Sequence, residues 1–560
     1  MRRPLVLTLP AALGLLAACA SPAGPGPADL IIHDAVVYTV DDAQPRAAAV
    51  AVADGRIAYV GDTAGALAMR GPDTEVIDAG GRALVPGLED AHGHFTGLGA
   101  SLQSLDFRGT TSYDQVVTLV RARAADARPG EWIVGRGWDQ NDWADSDWPT
   151  HDALSAAAPA NPVYLTRIDG HAALVNRAAM SAAGLTAATP DPEGGRIIRA
   201  ADGAPTGVLV DRAQALVAAG IPPITDMQLE EQILLADREA TRLGLTMVHD
   251  AGTTPRVVEA YKRLIDRGAL KTRLYVMLRG PLSMLAPEFA RGPLTDYGDH
   301  HLAVRAIKIV ADGALGSRGA ALLEPYADEP GTSGFLTTPA DEIYAQTLAA
   351  SKAGFQTAIH AIGDRANRVV MDTFARVQAE VPGARALRMR NEHAQILDAA
   401  EIPRFAALGV IASMQATHAT SDMPWVAARL GEARVAEGAY VWQRLLRTGV
   451  VLANGSDFPV EEPNPMLGFY AAITRQDRAG QPPGGWMPDE RLTRDEALRS
   501  FTWNAAYAAH AEDDLGSIRV GKLADLVLLE TDIMQAEPAA IPGTLVAATI
   551  IGGEVVYRRR

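Results

Sequence analysis

A chain of 560 residues, 48% hydrophobic and 21% charged, has material for large buried cores, and its length suggests about two to four structural units. A formal net charge of −16 with no long Lys/Arg block argues against a nucleic-acid partner. The single cysteine, Cys19, excludes intrachain disulfides and thiolate metal clusters, so any metal must be held by His, Asp, Glu or Lys.

The first 27 residues, MRRPLVLTLPAALGLLAACASPAGPGP, place two arginines before an apolar run too short for a membrane span, then small residues. This pattern predicts an export signal over residues 1–18. Leu16-Ala17-Ala18-Cys19 resembles a bacterial lipobox, which predicts cleavage before Cys19, acylation of that residue, and a Pro/Gly/Ala-rich tether over 19–28. The expected place is the bacterial cell envelope, on a membrane surface, with Ala20 favouring the periplasmic side of the outer membrane.

Residues 29–84 read as short strands separated by DG and GG turns, and residues 515–560 repeat that style. Neither end has enough strands for a sheet alone, so a small β-sandwich built from both chain ends is expected. Between them, over 85–514, eight apolar runs alternate with helical patterns: ALVPGLEDAHGH, LTMVHDAG, RLYVMLRG, VRAIKIVADG, QTAIHAIGD, ALRMRNEH, GVIASMQATH and VVLANGSDFPV. Eight such units predict an α/β fold, a (β/α)8 TIM-type barrel. The gap between the first two runs is too long for one crossover. Residues 100 to about 240, including the tryptophan-rich GRGWDQNDWADSDWP, read as an inserted cap segment.

His92, His94, His249, Lys308, His360, His393, His418 and Asp457 all fall at or just after the ends of these runs. In a parallel barrel the C-terminal strand ends form the active-site mouth. Residues two apart on a strand share a face, so His92 and His94 can aim two imidazoles at one point. Four histidines and an aspartate at the ends of strands 1, 5, 6 and 8 match nitrogen and oxygen ligation of a divalent ion. Lys308 is the odd member. A buried ammonium is costly unless paired, so it either meets a barrel carboxylate or reacts with carbon dioxide to give a carbamate, N6-carboxylysine, able to bridge two metals.

The ordered phrases PGLEDAHGH, KIVADGALGSR, AIHAIGDRA, EHAQ, GSDFPV and LGSIRVGKLADLVLL resemble the amidohydrolase superfamily, in its family 3 branch, which includes N-substituted formamide deformylases. The resemblance implies that His92, His94 and Asp457 bind one metal, that His360 and His393 bind a second, and that carboxylated Lys308 bridges them. It implies two divalent ions, with Zn2+ expected from the donors, and hydrolysis of a C–N bond of a small amide, N-acyl or N-formyl compound by a metal-bridging hydroxide. Asp457 is the expected catalytic proton carrier.

Arg318, His418, His249 with Asp250, and from the cap Trp138, Asp139, Arg167 and His171 are candidate substrate contacts. Each has a plainer alternative: an ion pair for Arg318, a loop position for His418, a structural role for His249, and the core of the cap for the tryptophans. Heterocycle deamination, ester or lactone hydrolysis, and non-catalytic binding by a surface lipoprotein are the competing functions. Sandwich edges in such proteins often pair, so a homodimer is also expected.

Overall fold

The structure, a computed structural model, describes residues 26–560. The predicted signal and Cys19 lie outside the described residues.

Each of the eight apolar runs forms a strand: β1 Leu88–Gly93, β2 Leu245–Thr253, β3 Arg273–Leu278, β4 Leu302–Val310, β5 Gln356–Ala361, β6 Arg390–His393, β7 Ile411–Gln415 and β8 Leu452–Gly455. All neighbouring pairs from β1 to β8 are parallel. Strands covered by helices outside and filled by side chains inside bury both faces, which is why they read as continuous apolar runs rather than alternating ones.

The barrel closes between β8 and β1 through a carboxylate. Asp90 accepts from the Ser456 amide at 3.1 Å, the Ser456 hydroxyl at 2.6 Å and the His92 amide at 3.0 Å. Beside it the Asp457 amide donates to the His92 carbonyl at 2.6 Å, and the His94 amide donates to the Phe458 carbonyl at 2.7 Å. The seam that shuts the barrel therefore also sets His92, His94 and Asp457 side by side.

The chain ends interleave. One four-stranded sheet has the order 56–61, 49–53, 28–33, 70–78; a second, six-stranded sheet has the order 554–558, 546–551, 526–529, 83–86, 36–38, 46–47. The C-terminal strand Leu526–Leu529 pairs antiparallel with Ala83–Pro86. Leu30, Ile32, Val50 and Val52 pack with Leu84, Leu526, Leu528 and Ile550 in one core shared by the two chain ends, while Ala28, Ile31, Ala49, Ala51 and Ala66 form a smaller cluster of the N-terminal part alone.

The inserted segment carries its own six-stranded sheet, ordered 195–199, 205–211, 172–175, 163–167, 133–138, 105–106. This is narrower than the predicted 100–240. Helix Asp226–Arg242, started by a capping box between Thr225 and Gln228, belongs to the barrel instead. Its Leu229, Ile233 and Ala236 pack in the barrel core with Phe95 and Leu98. An amphipathic helix carries no local mark of the core it will join.

Candidate metal centre

The mouth of the barrel collects side chains from five strand ends. His92 is fully buried; its Nδ1–H donates to Glu392 Oε2 at 2.5 Å, which turns Nε2 toward Lys308 Nζ at 2.9 Å and Asp457 Oδ1 at 3.5 Å. His94 Nε2 approaches the same Asp457 Oδ1 at 2.9 Å. The His393 Nδ1 is held by Gln415 Oε1 at 2.7 Å, and the His393 ring lies 4.7 Å from that of His92 and 4.5 Å from that of His360. His360 Nε2 lies 3.4 Å from Asp312 Oδ1. His418 joins from the helix after β7, with Nδ1 3.0 Å from Gln395 Nε2 and Nε2 3.8 Å from Asp457 Oδ2.

These donors fit a metal. Ligand atoms of His92, His393 and Asp457 lie within 4.8 Å of one another. Among the described residues His360 Nε2, His418 Nε2 and Asp457 Oδ1 are buried without a well-aligned hydrogen bond, despite the nearby Asp312 and His94, and buried polar atoms are rarely left so. Imidazole nitrogens and a carboxylate are the donors that zinc and similar divalent ions take. Burial pushes His92 and His360 down to about 4, and His393 well below the ordinary imidazole range, so all three carry the free lone pair a metal needs. Burial alone would raise Asp457, but His92, His94 and His393 outweigh it and hold the carboxylate well below its usual range.

Lys308 is 4% exposed and has no carboxylate within ion-pair distance among the described residues. Its nearest polar partner is His92 Nε2, and burial pushes its amine down to about 8. The salt-bridge alternative for Lys308 therefore has no partner here.

Four residues that support the centre were not singled out in the sequence: Glu392, Arg390, Gln415 and Asp312. Arg390 clamps Glu392 at 2.6 Å and also donates to the Ala91 carbonyl at 2.6 Å and to Ser413 Oγ at 2.9 Å. Burial raises Glu392, yet Arg390 and His92 together hold it far below the ordinary carboxylate range. Two opposite charges at i and i+2 in RMRNEH, on one face of a buried strand, were the signal that could have revealed them. Asp312 accepts from the amides of Ala321, Ile362 and Gly363 at 2.8–3.0 Å and so stands rigidly behind His360.

A cavity of about 410 Å3 opens over the centre between barrel and cap; His360, His393, His418 and Asp457 line its floor, while Asp139, Arg167 and His171 line its roof. Other expected contacts do not reach it. His249 is sealed inside the barrel, where its Nδ1 accepts from Arg390 at 2.9 Å and its Nε2 faces Glu89 at 3.6 Å. Asp250 is spent on the Phe95 amide and the Tyr261 hydroxyl, at 3.0 and 2.8 Å. Arg318 pairs with Asp328 at 2.9 Å and Glu329 at 3.4 Å. Trp138 is fully buried against Trp143 and Trp148, and its indole N–H donates to the Leu165 carbonyl at 2.8 Å. An indole needs one hydrogen-bond partner and much apolar surface, and the cap core supplies both.

A parallel barrel whose mouth gathers histidines and an aspartate defines a metal-dependent hydrolase. The amidohydrolase family matches residues 75–557, and the chain belongs to that family, in its family 3 branch. It is 32% identical to the putative amidohydrolase YtcJ of Bacillus subtilis, covering 94% of this chain and 99% of the relative. It is 29% identical to the N-substituted formamide deformylase of Arthrobacter pascens, covering 95% and 98%. An uncharacterized metal-dependent hydrolase from Pyrococcus horikoshii superposes with a TM-score of 0.73 at 26% identity, covering 91% of this chain and 99% of that one. The protein is thus an enzyme, a metal-dependent hydrolase acting on carbon–nitrogen bonds.

Proposed function

We propose that this amidohydrolase cleaves the amide bond of a small N-acyl or N-formyl compound at a centre of two divalent ions. The observation that carries the reading is the convergence of His92, His94, His360, His393 and Asp457 around Lys308, a buried lysine without a carboxylate partner among the described residues. His92, His94 and Asp457 would hold one ion, His360 and His393 the other, and Lys308 as its carbamate would lie between them. Zinc suits these donors. Bound metal supplies a Lewis acid for the substrate carbonyl and a hydroxide nucleophile at neutral pH.

The chain's own part is orientation and proton handling. Glu392 and Gln415 fix Nδ1 of His92 and His393, so each presents Nε2 to the centre. Asp457, kept ionised, accepts a proton at its carboxylate and passes it to the leaving nitrogen, with His418 Nε2 3.8 Å from Asp457 Oδ2. The cap roofs the cavity and restricts water. The substrate class is supported by the relative named as a deformylase of N-substituted formamides. Export with lipidation at Cys19, in the bacterial cell envelope, belongs to the same proposal and rests on the sequence of residues 1–28.

A screen of N-formyl and N-acyl amines, N-acyl amino acids and lactones with metal-reconstituted protein, run beside Lys308→Ala, tests this reading. Turnover of one amide class, lost together with metal in the variant, is expected. Turnover of lactones alone, or full activity and metal content in Lys308→Ala, would overturn it.

A further inference from the structure

The cap does more than cover the mouth. Where its strands Ala172–Val175 and Pro205–Asp211 meet, His171 and Asp211 face each other: the Asp211 amide donates to the His171 carbonyl at 2.8 Å, and the His171 amide donates to Asp169 Oδ1 at 2.9 Å. The side chains are joined as well, with His171 Nδ1 2.6 Å from Asp211 Oδ1. Asp211 adopts φ of 49°, a left-handed conformation that is strained for a non-glycine residue and persists only where the surroundings over-determine it.

The surroundings are a loop of the barrel. A Cβ at Gly313 would fall 2.6 Å from Asp211 Oδ2, and one at Gly319 would fall 2.5 Å from the same oxygen. A side chain at either position would displace the cap's carboxylate from this seat. Among the described residues Asp211 Oδ2 is itself buried without a hydrogen-bond partner, so the packing around this carboxylate comes at a polar cost.

What the carboxylate holds is an imidazole arranged like those of the metal centre. In His92 and His393 the Nδ1 is tied to a neighbour, at 2.5 Å to Glu392 and 2.7 Å to Gln415, which leaves Nε2 facing the centre. His171 follows the same plan. Its Nδ1 is tied to Asp211, its ring lies 5.2 Å from that of His360, and it lines the cavity. It stands on the cap, across the cavity from the strand ends that supply the centre's donors. Its free edge therefore meets what enters the cavity.

We infer that His171, braced by Asp211, is a catalytic residue contributed by the cap: its Nε2 edge hydrogen-bonds the scissile amide group of the substrate, and Asp211 acts as its positioning residue. This rests on the amidohydrolase reading above. It makes the cap part of the reacting site rather than a lid that only selects among substrates.

The test uses the zinc-loaded protein with N-formylbenzylamine as probe, in wild type, His171→Ala, His171→Gln and Asp211→Asn. Zinc content, melting temperature, calorimetric Kd and kcat/KM are measured for each. In His171→Ala, Kd should rise about tenfold and kcat/KM fall roughly 100-fold, with zinc and melting temperature unchanged, because a lost positioning contact costs that much. His171→Gln should recover part of both. Asp211→Asn should lower kcat/KM by about tenfold, as loss of an orienting partner does, whereas a merely structural role would lower only the melting temperature.

Kd and kcat/KM within about threefold of wild type in both His171 variants would overturn the inference, and so would loss of zinc in His171→Ala. Wild-type protein that binds the probe without hydrolysing it refutes the deformylation reading alone, and Kd then decides the His171 contact. Wild-type protein that takes up zinc but does not bind the probe overturns both. The His171 variants stand by themselves if Asp211→Asn does not fold.

Discussion

His92 and His249 stand on adjacent strands, both fully buried, on opposite sides of the Arg390–Glu392 pair, and they end up with different surroundings. His92 gives its Nδ1–H to Glu392 and turns Nε2 up into the mouth, among Lys308 and Asp457. His249 receives Arg390 at Nδ1 and turns Nε2 down toward Glu89, in a sealed interior. The same side chain at similar depth is thus a donor for chemistry or part of the packing, according to which half of the ion pair it meets. A carboxylate partner makes an imidazole a better metal donor, whereas a guanidinium occupies its lone pair.

The largest effect should come from the upper member of the pair. His92→Ala is expected to cut transition-metal content sharply from near two equivalents per chain and to abolish turnover, as measured by elemental analysis and the amide screen. Metal content that ignores the change would break the comparison at its upper end. Glu392→Gln keeps the shape but weakens the anchor of His92, so metal affinity or activity should fall by about 10–100-fold, read by metal titration.

The lower side should answer in stability instead. Glu89 is fully buried with Oε2 unpartnered, and burial raises it well above its ordinary value of 4.5. Burial thus favours its neutral form in the folded chain. The stability it contributes is therefore complete below about pH 4.5 and is lost as pH rises from there toward the folded value. Glu89→Gln cannot ionise, so its melting temperature relative to wild type should climb as pH rises from about 4.5 toward the folded value, with metal content unchanged. A flat difference across that range would remove Glu89 from the argument. The smallest effect belongs to the cap core: Trp138→Phe loses the indole bond to Leu165 and should cost about 1 kcal/mol in denaturant titration while leaving kcat/KM as it was.

Much of the barrel was legible because its signals are local. LTMVHDAG or GVIASMQATH announces a strand by a short apolar run, and eight such runs with helices between them leave few arrangements. The mouth was legible to the same extent: polar residues closing an apolar run must lie at a strand end, and His360, His393 and Asp457 do meet there. His249 closes such a run too, yet it is buried below the mouth. A strand's end was visible, but the depth at which the chain passes from interior to mouth was not.

Other placements stay open in the sequence for the same reason. Arg318 had a polar cavity and two carboxylates within its reach in principle, and only the placement of Asp328 and Glu329 chose between them. The tryptophans of the cap announced a core or a binding surface equally well. Helix Asp226–Arg242 was a sound helix from its capping box onward, but which body it packs on is not written in its own residues.

The sequence by itself determined the element order, the strand-ending histidines, and a lysine that needs an explanation in a buried run, because periodicity and burial preference act over a few residues. Tertiary structure alone decided that Glu392 faces His92 across 300 positions of chain, that Asp90 closes the barrel onto Ser456, and that a carboxylate of the cap seats on two glycines of a barrel loop. Those pairings depend on register and closure, which are properties of the whole sheet, and hydrogen bonds of this length tolerate no shift of even one residue.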